Sequence, residues 1–150
     1  MKAAFVLGAL AALWQPAFSL REGTYTIGSA SLNASLVLGE TKTDGGPLEF
    51  ARKNGRPGQT WFLDHSGSSD RDFLVQNTLG GYINCGEEEA GSPCFAGEDP
   101  QVYTLEFAGD GKYEIVAKDS RYFLRVNENL QLELAEWDQS PNEQFTPTST

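Results

Sequence analysis

Three large aromatic residues stand at equal intervals near the ends of three similar segments. Trp61, Tyr103 and Phe145 are 42 and 42 residues apart, each with a glutamine shortly before it: Gln59-Thr60-Trp61, Gln101-Val102-Tyr103 and Gln144-Phe145. Self-similarity at a period of 20–50 residues marks a chain built from repeated supersecondary units, none of which buries its own apolar face alone. Each third opens on a strand-like stretch: Gly23-Thr24-Tyr25-Thr26-Ile27, Asp72-Phe73-Leu74-Val75-Gln76-Asn77 and Gly111-Lys112-Tyr113-Glu114-Ile115. A second follows in each: Leu36-Val37-Leu38-Gly39, Gly81-Tyr82-Ile83-Asn84 and Arg121-Tyr122-Phe123-Leu124. Alternation of polar and apolar residues is the pattern of a half-buried strand, and it recurs in Leu130-Gln131-Leu132-Glu133-Leu134. Asp44-Gly45-Gly46, Asn54-Gly55, Gly80-Gly81 and Asp110-Gly111 supply turns between strands. No stretch after residue 19 keeps a helical period for three turns. These observations predict an all-β domain of about twelve short strands in three repeats of about 42 residues, roughly 22–68, 69–109 and 110–147.

The first residues stand outside this pattern. Lys2 precedes an apolar run from Ala3 to Trp14, followed by Gln15-Pro16 and the small-residue site Ala17-Phe18-Ser19. The run is too short for a membrane span, which takes about 20 residues, and its order is that of a secretory signal peptide. Residues 1–19 are therefore expected to be a signal peptide and 20–150 a single secreted domain. Export is oxidising, so Cys85 and Cys94, the only two cysteines, are expected to form a structural disulfide. Their spacing is not C-x-x-C, and two thiols alone make no zinc site. Asn33-Ala34-Ser35 is a glycosylation sequon.

Charge and composition exclude other classes. The formal net charge is -10, which argues against nucleic acid and against anionic membrane as partners. Three Trp, five Tyr and nine Phe give a burial resource that argues against disorder. His65 is the only histidine. It lies in Asp64-His65-Ser66, and neighbours in sequence do not converge as a triad must. No metal or cofactor is expected, and no catalysis.

The repeat signals resemble a known family. Gly58-Gln59-Thr60-Trp61-Phe62-Leu63, Asp99-Pro100-Gln101-Val102-Tyr103 and Ser140-Pro141-Asn142-Glu143-Gln144-Phe145 are similar to the Q-x-W repeats of ricin-B-type lectins, in their small secreted fungal style. The resemblance covers roughly residues 22–147 and implies a β-trefoil. Only the first repeat keeps the motif intact. The second has Tyr for Trp, and the third has Glu143 where the family has Gln. Packing explains the motif: one aromatic per repeat fills a shared core, and the adjacent amide bonds main chain that has no ladder partner. Gln59, Trp61, Gln101, Tyr103, Gln144 and Phe145 are accordingly structural.

The resemblance further implies shallow sugar pockets, one per repeat at most. Such a pocket needs a carboxylate or amide that forks onto two hydroxyls and an aromatic face against the ring. The third repeat has the best partial set: Asp119 near the expected carboxylate, Gln131 as a polar contact, Asn142 three residues before Phe145, and Trp137 as a displaced platform, because Glu133 stands at the nominal platform position. The first repeat has Gly58 in place of the Asn, and its basic cluster Arg52-Lys53-Asn54-Gly55-Arg56 reads as a solvated turn. The second has the Glu87-Glu88-Glu89 loop between its cysteines. The expected partner is a carbohydrate or glycoconjugate, neutral rather than highly acidic, with a sulfated or acidic glycan as the functional reading of the Arg52–Arg56 cluster alone. The alternative is a secreted protease inhibitor that presents the 85–94 or the 39–47 loop to a protease, and a third class is an interaction protein acting on host or competitor surfaces.

Overall fold

The structure is a computed structural model and describes residues 20–40, 45–66 and 69–150. The expected signal peptide lies outside the described residues. Twelve strands are present among those described. The first repeat holds β1 (Gly23–Ser29), β2 (Leu36–Gly39), β3 (Glu49–Arg52) and β4 (Trp61–His65). The second holds β5 (Asp72–Asn77), β6 (Tyr82–Asn84), β7 (Phe95–Gly97) and β8 (Val102–Gly109). The third holds β9 (Lys112–Ala117), β10 (Phe123–Val126), β11 (Leu132–Ala135) and β12 (Phe145–Ser149).

The outer strands of the three repeats close a ring. β1 pairs with β4, β4 with β5, β5 with β8, β8 with β9, β9 with β12 and β12 with β1, all antiparallel. The inner strands of each repeat pair as hairpins, β2–β3, β6–β7 and β10–β11. A six-stranded barrel with three hairpins is the plan of a β-trefoil, and closure removes the exposed barrel edges that would otherwise invite aggregation.

Period two explains why these strands close around a core. Ile27, Leu63, Val75, Leu105, Ile115 and Pro147, one from each barrel strand, line a common interior. They meet in register as Ile27–Pro147, Leu63–Val75 and Leu105–Ile115. Trp61, Tyr103 and Phe145 sit two residues before the inward residue on their strands, all fully buried in the one core cluster. Each polar ring reaches back to its own hairpin: Trp61 Nε1 donates to the Leu38 carbonyl at 3.0 Å and Tyr103 Oη to the Ile83 carbonyl at 3.2 Å. Phe145 has no polar group to satisfy, and its ring stacks at 6.2 Å on Phe50.

The disulfide between Cys85 and Cys94 is formed. The chain on its Cys94 side is stitched to the third repeat. Cys94 N–H donates to the Leu132 carbonyl at 3.0 Å, Leu134 N–H to Ser92 at 2.9 Å and Gly91 N–H to Leu134 at 2.7 Å. The second half of the 85–94 loop thus adds a partner to β11, rather than projecting as an extended inhibitory loop would. Of the 39–47 loop, residues 41–44 lie outside the described residues.

Candidate functional site

The third hairpin carries an open depression of about 600 Å³. Its floor is the outward face of β10 and β11. Arg125 and Glu133 are register partners there, and Arg125 Nη2 and Nε donate to the same Glu133 oxygen at 2.5 and 3.2 Å. The other Glu133 oxygen accepts from Asn127 Nδ2 at 2.9 Å. The residue at the nominal platform position is therefore a carboxylate committed to a guanidinium and an amide, not a face for a sugar ring.

Asn127 shapes the adjoining turn. Its Oδ1 accepts the N–H groups of Asn129 at 2.8 Å and Gln131 at 3.0 Å, a local side-chain turn of the kind Asn favours. Leu130 is left with a positive φ of 62°. Ser31 and Leu32, from the β1–β2 connection, also line the depression.

The segment between β11 and β12 supplies Asp138 and Asn142 to the lining. Asp138 Oδ1 accepts the Ser140 N–H at 2.9 Å. The bond from the Ser140 N–H, with the nearby Arg125 guanidinium, holds the Asp138 carboxyl below its usual range, against a smaller effect of burial. Asp138 therefore enters the depression as a carboxylate. Pro141 begins the 3₁₀ turn Pro141–Glu143, where a missing N–H costs nothing, and the turn brings Asn142 to the rim with its side chain exposed.

The sequence-predicted residues are only partly brought together. Asn142 lines this depression. Trp137 stands beside it: its ring packs 6.4 Å from Phe123, and its Nε1 donates to Glu114 Oε2 at 2.9 Å. Phe123 is two residues from Arg125 on the same strand face, a separation of about 7 Å. Gln131 is turned toward the first repeat, its Nε2 3.4 Å from Glu49 Oε2. Asp119 lies apart, in a separate depression with Thr104, Lys118 and Arg121, because the turn after β9 carries it onto the barrel wall. The carboxylate that the same segment brings to this depression with Asn142 is Asp138. Its signal in the sequence is Asp138-x-Ser140-Pro141, an Asx turn leading into a proline-started helical turn. Gln144 also requires correction. It is half-buried, and the fully buried residue before Phe145 is Glu143.

The other repeats do not reproduce the site. Position 58 is Gly for a steric reason: a Cβ there would meet the Glu40 carbonyl at 3.1 Å. The second repeat has the exposed Pro100 at the corresponding place, which offers no amide. His65 rests 4.7 Å from the Phe73 ring and 3.9 Å from Glu22, outside the depression. Among the described residues, no group of three or more His, Cys, Asp or Glu side chains is arranged to hold a metal ion, and no helix is long and apolar enough to cross a membrane.

No family model matches the chain. No curated protein matches it. Solved structures do. The Rhizoctonia solani agglutinin superposes with a TM-score of 0.75 at 21% identity, covering 88% of this chain and 98% of that one. The Macrolepiota procera ricin B-like lectin, solved in complex with lactose, gives 0.75 at 15% identity, covering 87% and 99%. The designed three-fold symmetric protein ThreeFoil gives 0.72 at 18% identity, covering 85% and 99%. The chain has the fold of these lectins and of this three-fold design.

Proposed function

We propose that this protein is a secreted, non-catalytic carbohydrate-binding protein whose working site is the depression on the third hairpin. The observation that carries this reading is an ionised carboxylate, Asp138, and an exposed amide, Asn142, from one segment lining an open depression together with Arg125 and Glu133. A carboxylate accepts from two hydroxyls, and an amide both donates and accepts. Together they suit adjacent hydroxyls of a pyranose. The ring platform of this reading is Trp137 on Phe123, next to the depression rather than inside it. The Macrolepiota lectin with the same fold was solved with lactose, which makes β-galactosides the first ligands to try. A net charge of -10 favours neutral glycans over acidic ones.

Several features support the rest of the reading. Secretion agrees with the apolar run at 3–14 and the Cys85–Cys94 disulfide. Asn33 is exposed in the β1–β2 connection, its Oδ1 accepting the Ser35 N–H at 2.8 Å, a position open to glycosylation. Glycosidases place two carboxyl groups on opposite sides of the scissile bond. Asp138 and Glu143 come from one short segment, and Glu143 is fully buried, so the pair suits binding and not hydrolysis.

The test is an array of neutral glycans together with retention on immobilised lactose. Specific retention that is lost in Asp138→Ala and Asn142→Ala is the expected outcome. No retention on any glycan overturns the reading, and retention untouched by both substitutions overturns the site.

A further inference from the structure

One structural role is filled by two different side chains in the three repeats. In the first, the Gln59 amide accepts the Asn54 N–H at 2.9 Å and donates to the Arg52 carbonyl at 2.9 Å. In the second, Gln101 accepts the Cys85 N–H at 2.8 Å and donates to the Gly86 carbonyl at 2.9 Å. In the third, Glu143 accepts the Asp138 N–H at 3.0 Å, over the same five-residue offset as Gln59 and Asn54. Its second oxygen differs. Oε2 is buried and meets no donor among the described residues, although Glu143 is 0% exposed.

A carboxylate in that place is badly accommodated. Leaving a buried charge without a partner is far more costly than leaving a neutral group unpaired. A neutral carboxylic acid has one oxygen that accepts and one O–H that donates, which is the donor–acceptor pair that Gln59 and Gln101 supply. The groups acting on Glu143 are few. Burial pushes its carboxyl up, the Asp138 N–H opposes that, the Asp138 carboxylate pushes it up further both as a charge and as an acceptor for its proton, and Arg125 on β10 opposes. Among the residues of β1, the other strand packed on this turn, Tyr25 alone titrates, and its hydroxyl is bonded to the Arg21 carbonyl. Asp138 moves in the opposite direction, so a single proton held on Glu143 satisfies both acids.

We propose that Glu143 is the positioning residue of the third-hairpin depression and makes its ligand binding acid-favoured: the neutral acid holds the segment that carries Asp138 and Asn142, and the carboxylate loosens it. Glycan is the ligand only through the function proposed above, whereas the titrating segment stands without it. The sign follows from linkage. Glu143 contributes stability that is fully present below the ordinary glutamate value of 4.5 and is lost as pH rises through its raised value. Asp138 has the opposite sign. Its contribution is present above the ordinary 3.8 and is lost as pH falls through its lowered value. The segment is therefore best held in mildly acid solution.

The experiment compares the full chain with Glu143→Gln in two measurements from about pH 5 to about pH 8. One is the urea midpoint. The other is affinity for immobilised lactose, or for the strongest ligand on the glycan array. The wild type is expected to lose urea resistance as pH rises and to weaken in binding by up to about tenfold for each unit separating the two pKa values of Glu143, in the held and loosened segment. Glu143→Gln is expected to hold both nearly level at the wild type's acid values, and Glu143→Ala to be weak throughout. Parallel wild-type and Gln profiles overturn the proposal. Should Glu143→Gln fail to fold, carbon NMR of the wild-type glutamate carboxyls decides: a resonance titrating well above 4.5 supports it, and all of them titrating at or below that value overturns it. If nothing is retained at any pH, the carbohydrate reading fails, and the urea and NMR measurements still decide the role of Glu143.

Discussion

Arg125 and Glu133 are held as a pair across the β10–β11 hairpin, with Arg125 Nη2 and Nε both on one Glu133 oxygen at 2.5 and 3.2 Å. The pair decides the character of the depression, because it puts a guanidinium and a carboxylate where a ring platform is expected. Glu133 also holds the Asn127 side chain that shapes the 127–131 turn. Glu133→Ala is expected to release both. Hydrogen bonds to a charged group are worth about 1.5–3 kcal/mol. Arg125 keeps 33% of its side chain exposed, so solvent screening places the loss at the low end. Urea denaturation measures it, and glycan affinity is expected to fall with it because the floor is no longer fixed.

Gly58 shows why the first repeat cannot be given a sugar site by restoring one residue. Gly58→Asn puts a Cβ 3.1 Å from a backbone oxygen of Glu40, and backbone gives way less readily than a side-chain tip. Overpacking of this kind costs about 1–3 kcal/mol. The variant is expected to unfold at lower urea and to gain no second binding site, as judged by the stoichiometry of a calorimetric titration.

Asp72 anchors the barrel wall. It is 4% exposed, accepts from Thr104 Oγ1 at 2.7 Å and pairs with Lys118 Nζ at 2.7 Å. Burial alone raises its carboxyl, but the Lys118 and Thr104 bonds outweigh burial, and the net direction is down. A lowered carboxyl contributes stability above its ordinary value of 3.8 that is lost as pH falls through the folded one. Asp72→Asn is expected to be less stable than wild type at neutral pH by about 2 kcal/mol, with the gap closing in acid. Urea midpoints across the acid range check it, and a gap that stays constant with pH refutes the assignment.

The disulfide joins residues nine apart. In the chain-entropy account, closing a loop that short contributes roughly 2–3 kcal/mol. The Cys94 side of the loop also pairs with β11 through the Pro93–Glu133 bridge, so reduction reaches the strand that carries Glu133. Cys85→Ala with Cys94→Ala is expected to lower the melting temperature and also to weaken glycan affinity, whereas a loop lying apart from the site would change stability alone.

The fold was legible because its cause is periodic. Trp61, Tyr103 and Phe145 recur at one interval, and period two in the six barrel strands places Ile27, Leu63 and their counterparts on one interior. The site was less legible because it depends on how short irregular segments turn. The offset to Phe145 singled out Asn142, which lines the depression of the proposed site. Asp138 was not singled out, because its direction depends on the Asx turn through Ser140. Asp119 has the right residue type near the right offset, but the turn after β9 sends it elsewhere. Gln144 was misleading because a glutamine directly before the aromatic looks like the motif. The inward position is two before the aromatic, and there an acid stands in for the amide.

Substitution of Trp137 is expected to separate binding from folding. The residue is 52% exposed, its ring 6.4 Å from that of Phe123 and tethered by an indole N–H to Glu114. Removing it uncovers only part of one neighbouring ring and breaks one exposed hydrogen bond, so Trp137→Ala is expected to stay within about 1 kcal/mol of wild-type stability, near the range of surface substitutions. Its effect on binding depends on the length of the ligand. Arg125 and Phe123 are about 7 Å apart along β10, so a sugar seated against Asp138 and Asn142 leaves the ring to the next residue of the chain. Trp137→Ala is expected to weaken a disaccharide such as lactose by about tenfold, since stacking on an aromatic face contributes about 0.5–1.5 kcal/mol beyond its area, while galactose alone loses little. Calorimetric titration of both ligands against both proteins decides it. Equal losses for the two place the ring inside the primary site, and no loss for either gives Trp137 a packing role alone.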